Sequence, residues 1–243
     1  MTASSSPPVT RLAAIFGRPR AVFPVVHCCA EEQAHEAAEL AHACGADGVF
    51  FINQGGLDAR ETFEVARRFA AEHRYFWVGV NLLGYDAADV LRLVQKRPGV
   101  RMIWCDEALR QPWRDVESNG LRTQGPAQGW EGLLFAGCAF KGQAPVPPDM
   151  WGSAARLQVQ LGVDVVTTSG PRTGSPADPM KPTAMAAAIG EHPLALASGI
   201  TPGNVQDYPM VSAFLVATGI EESFGYFDEA RLRRLVDLVH GPK

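Results

Sequence analysis

Eight times along this chain a short apolar run gives way to a stretch of helical character. The runs cover residues 21–27, 48–52, 75–80, 100–104, 132–138, 163–167, 193–197 and 211–217. Several, such as Gly48-Val-Phe-Phe-Ile52, are apolar without alternation. That pattern marks strands buried on both faces of a parallel sheet. Helices are expected over 31–44, from an Asp58 cap through residue 72, and over 86–96, 148–161, 179–189 and 228–239, with a short one from about Pro202. Leu232, Leu235, Val236 and Val239 recur at helical spacing. Eight such units within about 220 residues predict an α/β fold, a parallel eight-stranded (β/α)8 TIM barrel. An open doubly wound sheet fits less well, because His27-Cys28-Cys29-Ala30 stands where a glycine-rich first turn would be needed.

The 243 residues suit one barrel domain over 21–243, with residues 1–20 expected to be a flexible lead-in. The first ten residues have no basic segment followed by an apolar core, so they do not read as a signal peptide. A net charge of −4 and a pI near 5.9 argue against a nucleic-acid partner. No apolar run reaches about 18 residues, the length a membrane span needs. Five cysteines, an odd number without framework spacing, imply free thiols and a cytoplasmic location. The adjacent Cys28-Cys29 is not spaced as a zinc knuckle, and no metal-ligand set emerges from the sequence. The segment 105–128, with Pro112, Gly120, Gly125 and Pro126, is long for a connection and is expected to cover part of a site.

In a barrel of this kind the C-terminal strand ends share one mouth. That rule gathers His27, Asn53-Gln54, Asn81, Asp106-Glu107, Lys141, Thr168-Ser169, Ser198-Gly199 and Thr218-Gly219. Two stretches stand out, Thr167-Thr-Ser-Gly-Pro-Arg-Thr-Gly-Ser175 and Ser198-Gly-Ile-Thr-Pro-Gly-Asn204. Each opens from a strand into small hydroxyl and glycine residues ahead of a helix, which suits an anion such as phosphate. The candidate ligand contacts are therefore Ser169, Gly170, Arg172, Thr173, Gly174, Ser198, Gly199, Asn204, Thr218 and Gly219. Arg172 is the only cation near the sixth loop in sequence, and Glu221-Glu222 follow the eighth. Asn and Ser/Thr after a strand also make turns and caps with no ligand involved.

For chemistry the candidates are Lys141, Asp106, Asn81 and His27. Lys141 could bind an anion or, if desolvated, act as an amine nucleophile. His27 could move a proton near neutrality, or serve as a hydrogen-bonded structural histidine. Asp106 and Glu107 could act as a base or hold Mg²⁺, the one cofactor the sequence leaves open. Cys28 or Cys105 would need a base such as His27 to become a nucleophile. The remaining histidines, His35, His42, His73, His192 and His240, are expected on helix surfaces.

With those residues in place, the chain resembles the BtpA-like family of TIM barrels. The matching stretches are Gly79-Val-Asn-Leu-Leu-Gly-Tyr-Asp-Ala87, Phe140-Lys141, 164–174, 198–204 and Gly225-Tyr-Phe-Asp-Glu-Ala-Arg231. The resemblance implies a TIM barrel and association into homo-oligomers. It supplies no reaction. The chain departs from the family pattern around the lysine, where Gly137 and Gly142 replace an Asp and a His. It departs again at Leu83-Gly84-Tyr85-Asp86 and at Cys28-Cys29-Ala30. Two functions follow as expectations. One is a lyase, isomerase or transferase acting on a small phosphorylated or sugar-like metabolite. The other is a non-catalytic ligand-binding or scaffold barrel.

Overall fold

The computed structural model describes residues 10–107 and 129–241. Eight parallel strands close on themselves in sequence order. They are β1 (Ala21–His27), β2 (Gly48–Ile52), β3 (Trp77–Asn81), β4 (Met102–Cys105), β5 (Leu133–Gly137), β6 (Val165–Thr168), β7 (Leu194–Ala197) and β8 (Ala213–Val216). Closure is made by β8 against β1, in register from Ala21↔Ala213 to Pro24↔Val216. Around the barrel lie α2 (Glu31–Ala43), α3 (Ala59–Glu72), α4 (Ala87–Lys96), α5 (Trp151–Gln160), α6 (Met180–Ile189) and α7 (Glu229–His240). The fold is a (β/α)8 TIM barrel, as the alternation predicts. The expected cover over residues 105–128 falls mostly outside the described residues, which end at Glu107 and resume at Gly129.

Local signals set the helix starts. Asp58 accepts the amide of Glu61 while Glu61 bonds the amide of Asp58, a reciprocal capping box at α3. Asp86 and Asp228 cap α4 and α7 in the same way, each accepting an amide three residues on. The connection after β7 holds a 3-10 turn, Val205–Asp207, where a short helix was expected.

Inside the barrel, large and small side chains compensate. Phe23, Phe50 and Phe135 meet edge to face with ring centroids 5.2–5.9 Å apart. Ala195, Ala197 and Ala213 from β7 and β8 share this interior cluster and leave the rings their room. The outer faces of the strands pack on the helices through a second cluster that includes Phe51, Phe63 and Phe69.

Two elements correct the sequence reading. The lead-in expected through residue 20 contains α1 (Arg11–Phe16), capped by the Thr10 hydroxyl and ended by Gly17 in the left-handed region. Leu12 is buried in the interior cluster, and Phe16 packs edge-on against Phe23 and Trp77, so α1 closes the N-terminal end of the barrel. Between β8 and α7 lies an antiparallel hairpin, β9 (Glu221–Ser223) and β10 (Tyr226–Phe227).

Candidate functional site

At the C-terminal mouth a small cavity opens. Its floor is Val25, Ile52, Trp104, Ala197 and Leu215, interior side chains near the C-terminal ends of five strands. Its rim brings together His27, Lys141, Thr173, Gly174, Ser198, Gly199, Thr218 and Gly219. Eight of the residues named from the sequence therefore meet at one opening. Among the described residues, no protein acceptor takes the amide N–H of Gly199, Thr218 or Gly219. The eighth loop is seated on the seventh, since a methyl group at Gly219 would overlap the carbonyl of Ile200.

Four predicted ligand contacts make hydrogen bonds within the protein. Asn204 folds the seventh loop: its Oδ1 accepts the Thr201 amide at 2.8 Å and its Nδ2 donates to the Gly199 carbonyl at 2.8 Å. Ser169 is fully buried, and its hydroxyl accepts the amide of Lys141 at 2.7 Å. The amide of Gly170 donates to the Ser198 hydroxyl at 3.1 Å. Arg172 is exposed and donates to the Ser175 hydroxyl. None of the four lines the cavity. They shape it, because short polar side chains after a strand find backbone partners first.

The cation that serves the sixth loop is Lys181, at the start of α6. Its Nζ donates to the carbonyls of Ala139 and Ser169, tying the fifth loop to the sixth. Burial lowers its pKa. Nothing in the local sequence separates Lys181 from an exposed helix lysine. Ala139 at φ +47° and Ser198 at φ +120° are the two non-glycine residues with positive φ among those described. Both sit just past strands that open into the site. Such backbone costs about 1–3 kcal/mol each and persists only where neighbours hold it. Here Lys181 holds the Ala139 carbonyl and the Gly170 amide holds the Ser198 hydroxyl.

Lys141 also lines a second cleft, with Asn81, Asp86, Asp106 and Glu107. Nδ2 of Asn81 donates to Oδ1 of Asp106 at 3.1 Å. Burial pushes the Asp106 carboxyl up, while Asn81 and the Lys141 charge oppose the shift. Burial also lowers the Lys141 amine, opposed by Asp106. The two groups are thus driven toward their neutral forms, as suits proton transfer. Asn53 takes no part: its Oδ1 accepts the Leu83 amide and shapes the third loop.

His27 is buried at the end of β1, and its Nδ1 lies 2.7 Å from Oε1 of Glu221 on the hairpin. The Phe224 ring stacks on the imidazole at 4.3 Å. With Nδ1 engaged, Nε2 is the nitrogen left for a ligand. Glu221, which follows the eighth loop, is the partner of His27. Trp104 was also missed: its indole Nε1–H is buried without an acceptor, and the residue lines the cavity. A strand-body tryptophan carries no sequence sign of that role.

Thiol chemistry finds no support. Cys28 is fully buried, donates to the Val26 carbonyl, and has its thiol pushed up to about 12 by desolvation. Cys105 is raised further, again by burial. Among the described residues, Asp106 and Glu107 do not gather with a third His, Cys, Asp or Glu around one point.

No protein-family model matches the chain, and no curated protein matches it in sequence. Solved structures do match its fold. Phosphoribosyl anthranilate isomerase from Thermus thermophilus superposes with a TM-score of 0.62 at 18% identity, covering 89% of this chain and 96% of that one. The 2-keto-3-deoxy-6-phosphogluconate aldolase of Zymomonas mobilis gives 0.63 at 16% identity, over 96% and 97%. The (S)-3-O-geranylgeranylglyceryl phosphate synthase of Thermoplasma acidophilum, solved with sn-glycerol-1-phosphate, gives 0.62 at 14% identity, over 96% and 99%. At these identities the likeness is one of fold: the chain is similar to TIM-barrel enzymes over nearly its whole length.

Proposed function

We propose that the barrel mouth binds a small phosphorylated metabolite and acts on it as a lyase, isomerase or transferase. One observation carries the reading: the unpaired amides of Gly199, Thr218 and Gly219 line the same cavity as Lys141. Converging N–H groups on the loops after the seventh and eighth strands are how this fold often holds phosphate. The phosphate would rest on those amides, with the hydroxyls of Ser198, Thr173 and Thr218 beside them. Trp104 Nε1–H would meet a polar atom of the ligand at the floor.

The reacting end of the ligand would face Lys141, Asp106 and Asn81. Asp106, held by Asn81 and desolvated, exchanges a proton. Lys141 stabilises the negative charge that develops on a carbonyl or enolate oxygen, or attacks the carbonyl as the free amine. His27, braced by Glu221, is a second proton carrier on the opposite side of the rim. Neighbours of similar fold act on phosphorylated compounds, which agrees with this assignment. Kinship with the BtpA-like family is part of the same proposal. Where that family has an acid before the lysine, a side chain at Gly137 would overlap the Asp106 carbonyl. Asp106 would supply the carboxylate from β4 instead.

The test is a thermal-shift and calorimetric titration with inorganic phosphate and a panel of sugar and triose phosphates, followed by a turnover assay on those that bind. Saturable stabilisation is expected, rising with ligand concentration as linkage requires. Lys141→Ala should abolish turnover and leave the fold intact. Absence of binding by any phosphorylated compound would overturn the reading. The loss of the acid and His around Lys141 favours a second reading, a non-catalytic binding barrel, which predicts binding without turnover.

A further inference from the structure

On the outer wall, α2 and α3 bring five histidine and carboxylate side chains together, far in character from the mouth. His35, Glu39 and His42 follow one another at i, i+4 and i+7 on α2, which places them along one side of the helix. Glu72 ends α3 and His73 is its C-cap residue. Oε1 of Glu39 lies 2.7 Å from Nε2 of His73 and 4.0 Å from Nε2 of His35. Nε2 of His35 is 2.9 Å from Oε2 of Glu72. One donor atom each from Glu39, His42 and His73 falls within 4.8 Å of the others.

The rings rest on an apolar floor. His73 stacks on Phe69 at 4.3 Å, His35 meets the edge of the same ring at 5.4 Å, and His42 packs against Phe76 at 4.8 Å. Phe69 and Phe76 are buried, so the imidazoles are oriented from beneath. An apolar layer beside a metal site limits solvent access and lowers the local dielectric.

We propose that Glu39, His42 and His73 form a binding site for a divalent first-row transition-metal ion, Zn²⁺ being the natural occupant. Two imidazoles and a carboxylate match the borderline preference of Zn²⁺, and oxygen-seeking Mg²⁺ or Ca²⁺ would be poorly served. Three protein ligands leave a fourth position for water. The ion replaces the Glu39–His73 hydrogen bond with two coordinate bonds and draws in His42. It thereby staples the C-terminal half of α2 to the end of α3. His35 and Glu72 stand beside the site and pair with each other.

The experiment is a titration of the full chain with Zn²⁺ at pH 7.5, in competition with a chromophoric chelator, read together with thermal unfolding. One ion per chain is expected to bind saturably and to raise the unfolding temperature. His42 is exposed, so His42→Ala is the principal variant. It should weaken binding at least tenfold, on the order of what losing even an outer partner of a metal costs. His73→Ala should do the same, with circular dichroism of the metal-free protein to check the fold. His27→Ala should leave the affinity unchanged. No saturable Zn²⁺ binding, full affinity in His42→Ala, or loss of affinity in His27→Ala would each overturn the site.

Discussion

Oε1 of Glu221 accepts twice, from Nδ1 of His27 at 2.7 Å and from the amide of Gly225 at 3.0 Å. One carboxylate oxygen therefore fastens the hairpin to the end of β1. Glu221→Ala should destabilise the protein by about 1–3 kcal/mol in urea unfolding, the cost of leaving buried polar groups unpaired. Glu221→Gln keeps an acceptor oxygen in place and should cost less. Equal losses in the two variants would show that charge, not hydrogen bonding, holds the hairpin.

Lys141 is an amine whose pKa is lowered by burial. The folded protein therefore binds its proton less tightly than the unfolded chain. Below the folded pKa both states carry the charge and folding bears its desolvation cost. That cost fades as pH rises through the folded pKa toward the unfolded value near 10.5. Lys141→Met should accordingly be more stable than the parent at pH 7, with the advantage shrinking by pH 10. Chemical denaturation of both proteins at the two pH values measures this, and a constant difference would refute it.

Phe23 touches both Phe50 and Phe135 and is fully buried. Phe23→Ala should cost about 3–5 kcal/mol by the cavity it opens. Phe23→Leu, which refills part of that space, should cost less. Equilibrium unfolding ranks the two.

Cys29 is the one half-exposed thiol among the five, the others being buried. A disulfide-exchange reagent at neutral pH should label Cys29 alone in the native protein. The labelling should be slow, because burial and the Glu221 charge raise its thiol. The remaining four should react only in denaturant. Rapid native labelling of Cys28 would reopen the case for thiol chemistry.

The eight strands were legible because each is an apolar run too continuous for a surface, and three helices among them open on an aspartate cap. Asp58, Asp86 and Asp228 cap α3, α4 and α7. The pocket side of the loops was legible in part, since strand-end position alone brought His27, Lys141, Ser198 and Thr218 to one rim. What that rule cannot give is which polar group turns to the ligand and which to the backbone. Asn204 and Ser169 satisfy amides of neighbouring loops, a long-range choice that residue type does not encode. Helix α1 escaped notice because six residues carry too little periodicity, although Thr10 and Gly17 frame it. The hairpin at 221–227 is shorter still, and its strand Glu221-Glu222-Ser223 has no apolar alternation. Lys181 reads as an ordinary helix lysine until the two carbonyls it binds are seen.

The three phenylalanines and α1 together make the barrel a blind tube. Nothing the size of a metabolite can cross from one end to the other past interlocked aromatic rings and a helical cork. For the ligand proposed above, entry and exit would therefore share the one mouth. For a turnover cycle here, a spent molecule competes directly with a fresh one for the same space. Accumulating product should then act as a competitive inhibitor, and rate would depend on how readily the rim releases its grip.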